Sequence, residues 1–256
     1  MRPAAFRFLP AVVGLCFASL LAGSAHGGSS NTFDRTVPLN PSGTFELQNV
    51  NGSVEVSSWD RHEVEIHAVK TGSRRPGDLE RVTIEVNALP DAVSVTTRYP
   101  HDEGVEVMVQ YRIRVPQDCM LSRVSSVNGG LRISGVPNAR ELRSVNGNVE
   151  ILDSSGQIKA HTTNGNIHVE LRHFSDSHSL SAETVNGSVL VALPSDAGGA
   201  LDVLTMNGDF RSEIPVTLEG SFSPRGFHGT LGRGGSPVRV RSVNGGIRVV
   251  AMRPSV

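Results

Sequence analysis

Asn-Gly recurs seven times in the chain, at Asn51, Asn128, Asn146, Asn164, Asn186, Asn207 and Asn244. From Asn128 onward the intervals are 18, 18, 22, 21 and 37 residues. A period of about 20 marks stacked structural repeats, in which each unit buries its apolar face only against its neighbours. The last interval spans almost two periods. Arg225-Gly226 falls 18 residues after Asn207 and reads as a diverged copy within it.

Aligned on Asn, the copies show what each position requires. Two residues earlier stand Asn49, Ser126, Ser144, Thr162, Thr184, Thr205 and Ser242, nearly all small hydroxyls. Directly before it stand Val50, Val127, Val145, Thr163, Val185, Met206 and Val243. Three residues later come Val54, Leu131, Val149, Ile167, Val189, Phe210 and Ile247, and five later Val56, Ile133, Ile151, Val169, Val191, Ser212 and Val249. That alternation predicts a strand with one face on a core.

Asn-Gly between alternating runs is also a strong signal for a tight two-residue hairpin. In a hairpin the residue before Asn lies on the face opposite the apolar residues three and five after Asn, leaving a row of Val outside. A solenoid corner turns the chain, so both sides can point inward. Identical corners would stack about 4.8 Å apart, with Asn amides hydrogen-bonded along the axis. Gly would supply the positive φ of a sharp corner. The favoured fold is an all-β solenoid of 18–22-residue rungs over 121–256, ending near Arg253-Pro254, where Pro cannot donate to a further rung.

The region before it differs. Val64–Ala68, Val82–Val86 and Val105–Val115 alternate over longer strands, separated by turn-forming residues at Thr71-Gly72-Ser73, Ala88–Asp91 and Pro100–Gly104. Residues 26–120 are therefore assigned to an antiparallel capping sheet that blunts one end of the solenoid.

Residues 1–25 have the order of a secretory signal peptide: basic Arg2 and Arg7, an apolar run from Phe8 to Leu21, then Ala22-Gly23-Ser24-Ala25. Leu15 before Cys16 argues against a lipoprotein. The expectation is export to periplasm, surface or medium, with no transmembrane segment after cleavage. From His26 onward 22 basic residues face 25 acidic ones in no basic stripe, which argues against nucleic acid as a partner. Only Cys119 remains, so no internal disulfide is available.

The chain resembles the bacterial putative-adhesin family of β-strand-repeat proteins. The resemblance rests on Gln48-Asn49-Val50-Asn51-Gly52-Ser53-Val54-Glu55-Val56 followed by Ser58-Trp59-Asp60. It extends through Arg112-Ile113-Arg114-Val115-Pro116, the Asn-Gly copies, and Gly232–Gly235 running to Ser242–Ile247. It implies an exported β-helical domain with a surface or adhesion role, and it brings no catalytic residue with it.

Candidate sites are few, and no catalytic, cofactor or metal residue is assigned. The outward position between the two apolar ones holds Glu55, Arg132, Glu150, His168, Leu190, Arg211 and Arg248. Mixed signs suit cross-rung ion pairs, whereas a glycosidase needs paired carboxylates at a set separation. His161, His168, His173 and His178, with Asp176, are read as surface residues rather than metal ligands. Cys119 ends a strand-like run and is read as structural, and Trp59 is assigned to core packing. Gly226–Gly235 lacks the lysine and helix of a phosphate cradle and is read as a flexible loop. Aromatic residues are too sparse for the girdles of an outer-membrane barrel. The leading expectation is a non-catalytic envelope or surface protein that binds a polysaccharide or an envelope protein. The alternatives are a carbohydrate-active β-helix enzyme and a purely structural, stress-associated scaffold.

Overall fold

A computed structural model of the protein describes residues 30–72, 77–100, 104–175, 177–223 and 226–252. The signal segment, Cys16, Arg225 and Arg253-Pro254 lie outside them. In chain order the first elements are β1 (Ser30–Pro38), β2 (Thr44–Gln48), β3 (Val54–Trp59), β4 (Glu63–Thr71), the single turn α1 (Asp78–Arg81), β5 (Thr83–Leu89), β6 (Ala92–Arg98) and β7 (Met108–Pro116). Next come β8 (Met120–Asn128), β9 (Leu131–Ser134), β10 (Leu142–Asn146), β11 (Val149–Ser154), β12 (Gln157–Asn164), β13 (Ile167–Leu171), β14 (Ser179–Asn186) and β15 (Val189–Leu193). The last are β16 (Gly199–Asn207), β17 (Phe210–Ser212), β18 (Val216–Ser223), β19 (Gly226–Leu231), β20 (Pro237–Asn244) and β21 (Ile247–Ala251).

The strands form two sheets that share one core. Sheet I runs β1-β4-β7-β3-β9-β11-β13-β15-β21-β17, and sheet II runs β18-β19-β16-β20-β14-β12-β10-β8-β2-β6-β5. Each Asn-Gly joins a strand of sheet II to the next strand of sheet I, so every copy is one rung of a β-solenoid. Along sheet I the buried positions are those three and five residues after Asn, among them Leu131, Ile133, Val149, Ile151, Ile167 and Val169. Along sheet II they are two, four and six before it, as in Thr162, Ala160 and Ile158. The chain therefore changes phase at the corner, and both halves of each rung feed one continuous apolar cluster.

The corner corrects two expectations. The residue directly before Asn does not turn inward: Val127, Val145 and Met206 are 40%, 39% and 54% exposed. The hydroxyl one position earlier takes the inward place, because the neighbouring rung offers it an acceptor. Nor does Gly serve mainly as a source of positive φ, since Gly129, Gly147, Gly165, Gly187 and Gly208 do not adopt it. A Cβ on Gly165 would instead stand 2.2 Å from the carbonyl oxygen of Gly147, and one on Gly187 2.0 Å from that of Gly165. Glycine is required by the close approach of stacked backbones.

Rung order departs from chain order at the far end. β20 and β21 insert between β14/β15 and β16/β17, so the Asn244 copy lies inside the Asn207 copy. Gly226 opens β19, which runs antiparallel to β16 and β18, so the expected diverged copy is a closing hairpin and not a rung. A Cβ at Gly226 would lie 2.9 Å from the Val203 carbonyl oxygen, which is how this strand fits against β16. The same pairing turns the first half of the expected flexible loop into a strand. The solenoid is closed here, and β21, the last strand among the described residues, is interior.

At the other end β6 continues sheet II parallel to β2, and β7 continues sheet I parallel to β3. Antiparallel strands then close both sheets, β5 on β6 and β4 with β1 on β7. The first corner has no hydroxyl but Asn49, whose Nδ2 donates to the carbonyls of Gly52 at 3.0 Å and Val109 at 2.9 Å. The hydroxyl of Thr97 donates to Asn49 Oδ1 at 2.9 Å and meets the Tyr111 hydroxyl at 2.7 Å. This buried network replaces the missing earlier rung.

Candidate binding surface

Seven asparagines form one hydrogen-bonded ladder. The Nδ2 of Asn128 donates to Oδ1 of Asn51, Asn146 to Asn128, Asn164 to Asn146 and Asn186 to Asn164, each at 2.8 Å. Asn244 then donates to Asn186 at 2.7 Å, and Asn207 to Asn244 at 2.8 Å. Behind the ladder lies a second column that the sequence reading noted without a role. Thr162 Oγ1 donates to the Gly147 carbonyl at 2.8 Å and Thr184 Oγ1 to that of Gly165 at 2.8 Å. Ser126, Ser144, Ser242 and Thr205 do the same at their own corners. Each buried hydroxyl satisfies a glycine carbonyl that points along the axis.

The outward column of sheet I is in register from rung to rung. Asp34, His67, Arg112, Glu55, Arg132, Glu150 and His168 follow one another on adjacent strands, and Leu190, Arg248 and Arg211 complete the row. The acids in it are paired. His67 Nδ1 lies 2.6 Å from Asp34, and Arg112 Nε 3.6 Å from Glu55. Arg132 pairs with Glu150, and His168 Nε2 stands 3.0 Å from Glu170. The expected charge ladder is present, though Arg248 precedes Arg211 in space.

Sheet II carries a comparable column on its outer face. Glu141 takes Arg123 at 2.9 Å and Arg143 at 3.0 Å, while Asp202 takes Arg239 at 3.1 Å and Arg241 at 3.5 Å. Burial opposes ionisation of Glu141, but the hydrogen bond and charge of Arg123, with Arg143 and Lys159, outweigh it and hold the carboxyl below its ordinary value. A general acid for glycoside cleavage needs a shift in the opposite direction.

The remaining candidates are dispersed. His161 lies on β12 in sheet II and His168 on β13 in sheet I, so they face opposite sides. His173 is exposed, while His178 Nδ1 accepts from the Ser175 amide at 3.1 Å beside Phe174. Asp176 falls outside the described residues, among which no three His, Cys, Asp or Glu are grouped to hold a metal ion. Cys119 is buried between β7 and β8, and burial pushes its thiol up to about 12. Trp59 is half-buried at the end of β3, not in the core. Its Nε1 donates to the Glu63 carbonyl at 2.8 Å, and the guanidinium carbons of Arg61 and Arg114 lie 4.9 and 4.5 Å from its ring centroid. It clamps the β3–β4 turn and is screened by two arginines.

These features define a two-sheet β-solenoid with charged, open faces. The chain belongs to the Toastrack DUF4097 family, whose model matches residues 36–250. Its structure is similar to that of a putative cell adhesion protein from Clostridium sporogenes ATCC 15579. The TM-score is 0.51 at 11% identity, over 87% of this chain and 100% of the other. At that identity the likeness is one of fold. A putative adhesin from Bacteroides fragilis NCTC 9343 aligns over 88% of this chain and 99% of its own at 8% identity, with a TM-score of 0.35. No curated protein matches the chain. No helix among the described residues is long and apolar enough to cross a membrane.

Proposed function

We propose that the protein is an exported, non-catalytic β-repeat scaffold of the cell envelope or surface that binds a polysaccharide or an envelope protein through its outward sheet faces. One observation carries this reading: the carboxylates in the outward column of sheet I are engaged by cations on neighbouring rungs, Glu55 by Arg112 and Glu150 by Arg132. A hydrolase would need one carboxyl kept protonated and a second held free opposite it. A flat, regularly charged ladder instead suits recognition of an extended partner. The basic, apolar and small-residue order of residues 1–25 supports export. The adhesion protein of similar fold is consistent with a surface role.

The test is binding of the purified protein to isolated envelope polysaccharides, peptidoglycan and detergent-extracted envelope proteins, with released sugars quantified in parallel. Saturable binding without sugar release is expected. Release of reducing sugar at a rate proportional to protein concentration would overturn the non-catalytic reading. Failure to bind any of the three preparations would overturn the binding role.

A further inference from the structure

The two outer faces differ in charge. Both faces set acids beside bases, but the middle strands of sheet II carry more bases than acids. Along β8, β10, β12, β14, β20 and β16, with the two residues preceding β10, stand Arg123, Arg140, Arg143, Lys159, Arg239 and Arg241. Against them stand only Glu141, Glu183 and Asp202. The outer strands β2, β5 and β6 of the same sheet carry Glu46 and Glu85 against Arg98, so the surplus belongs to the middle of sheet II. The acids there are shared, Glu141 between Arg123 and Arg143 and Asp202 between Arg239 and Arg241, with His228 3.4 Å from Asp202. Arg140 and Lys159 make no ion pair among the described residues.

The surplus converges on an open groove of about 480 Å³ across β12, β14 and β20. Arg140, Lys159 and Arg239 supply its charge, and Gln157, Ser179 and Ser181 its neutral hydrogen-bonding groups. Neither an acid nor an aromatic ring lines it. Lys159, Ser181 and Arg239 are direct register neighbours on three successive strands. The Cα atoms of Lys159 and Arg239 are therefore about 9.6 Å apart, two strand spacings, with the Ser181 hydroxyl on the strand between them.

We propose that this groove on sheet II binds a linear anionic glycan that carries regularly spaced carboxylates among its hydroxyl groups. The proposal rests on the scaffold reading above and names the face and ligand class for it. A single small anion is best held by donors that converge on one point. Here the cations are separated and interrupted by Ser181, which matches charges spaced along a polymer. A single-stranded nucleic acid is also a spaced polyanion, but its bases require stacking rings that this groove lacks. Against the effect of burial, the Glu141 carboxyl is held below its ordinary value by Arg123, Arg143 and Lys159, in keeping with a positive field over the same face.

The experiment titrates the purified protein with polygalacturonate, with its fully methyl-esterified form, and with single-stranded DNA, at low and high salt. Saturable, salt-sensitive binding of polygalacturonate and loss of binding to the ester are expected. A Lys159→Gln/Arg239→Gln double variant should bind about three- to tenfold more weakly, with an unchanged melting temperature, since both side chains are exposed. Arg61→Gln, in the turn between β3 and β4 and outside both sheet faces, should bind as the parent does. Equal binding of the ester, an unaffected double variant, or tighter binding of DNA would overturn the proposal. Binding to a neutral polysaccharide or an envelope protein with none to polygalacturonate would remove this inference and leave the scaffold reading intact. No binding in either experiment would remove both.

Discussion

Asn244 donates its side-chain amide to Asn186 across 2.7 Å, although 58 residues separate them in the chain. Asn207, only 21 residues after Asn186, stands one rung further out and donates to Asn244. The ladder is continuous because the chain returns from the β18–β19 hairpin and slides its last two strands into the stack. Every interior rung keeps an Asn-Gly corner on each side, whatever the order in which the chain supplies them.

An interior asparagine should therefore matter more than a terminal one. Asn164 bonds to both Asn146 and Asn186, while Asn207 bonds to Asn244 alone. Asn164→Ala is expected to cost about 1–2 kcal/mol and Asn207→Ala about half as much, at roughly 0.5–1 kcal/mol per exposed bond. Urea denaturation of the two variants measures the ratio.

Corner glycines should resist even alanine. A Cβ at Gly165 would meet the Gly147 carbonyl at 2.2 Å, whereas one at Gly130 meets its nearest atom, the Asn148 carbonyl oxygen, at 3.3 Å. Gly165→Ala is expected to destabilise by about 1–3 kcal/mol, and Gly130→Ala by distinctly less. The comparison of denaturation midpoints decides whether close approach sets the requirement.

The buried hydroxyls should be needed for their hydrogen bond and not for their volume. Thr162→Val keeps the shape but leaves the Gly147 carbonyl without its donor, at a cost of about 1–3 kcal/mol. Thr162→Ser, which keeps the hydroxyl, should cost less, and thermal melts of both variants test the order.

Alkaline pH should weaken the fold. Burial pushes the Cys119 thiol from 9.0 to about 12. It also pushes the Tyr99 hydroxyl, despite the Asn51 hydrogen bonds that oppose the shift, from 10.0 to about 12. Both groups hold their protons more tightly when folded, so their contribution is complete below about pH 9 and falls as the pH rises toward 12. Denaturation midpoints across that range follow the loss. At pH 8 a thiol reagent should label Cys119 only in denaturant.

Much of this architecture was legible in the residues. The Asn-Gly period marked the rungs, the apolar positions three and five residues later marked sheet I, and the amide ladder followed from stacking identical corners. Rung order was not legible, because Asn-Gly spacing does not say which copies are neighbours. A 37-residue interval looks the same whether it holds a diverged rung or a hairpin excursion. The exposed Val column and the true role of glycine were missed for one reason: both depend on the backbone of the next rung. The hydroxyls two residues before Asn were visible as a pattern, but their acceptor belongs to another copy. Likewise the positive face of sheet II gathers Arg140, Lys159 and Arg239 from segments that are far apart in sequence and blend into a nearly neutral total.

The arrangement is tested most directly by paired cysteines on the outer face of sheet I. Leu190 is the register neighbour of Arg248, and Arg248 that of Arg211. Register neighbours lie about 4.8 Å apart, within disulfide range, while residues two strands apart are separated by about 9.6 Å and lie beyond it. Mild oxidation of the Leu190→Cys/Arg248→Cys variant should form an intramolecular disulfide, and the Leu190→Cys/Arg211→Cys variant should remain reduced. A disulfide in the second variant and none in the first would mean that the rungs stack in chain order, contradicting the interleaved solenoid.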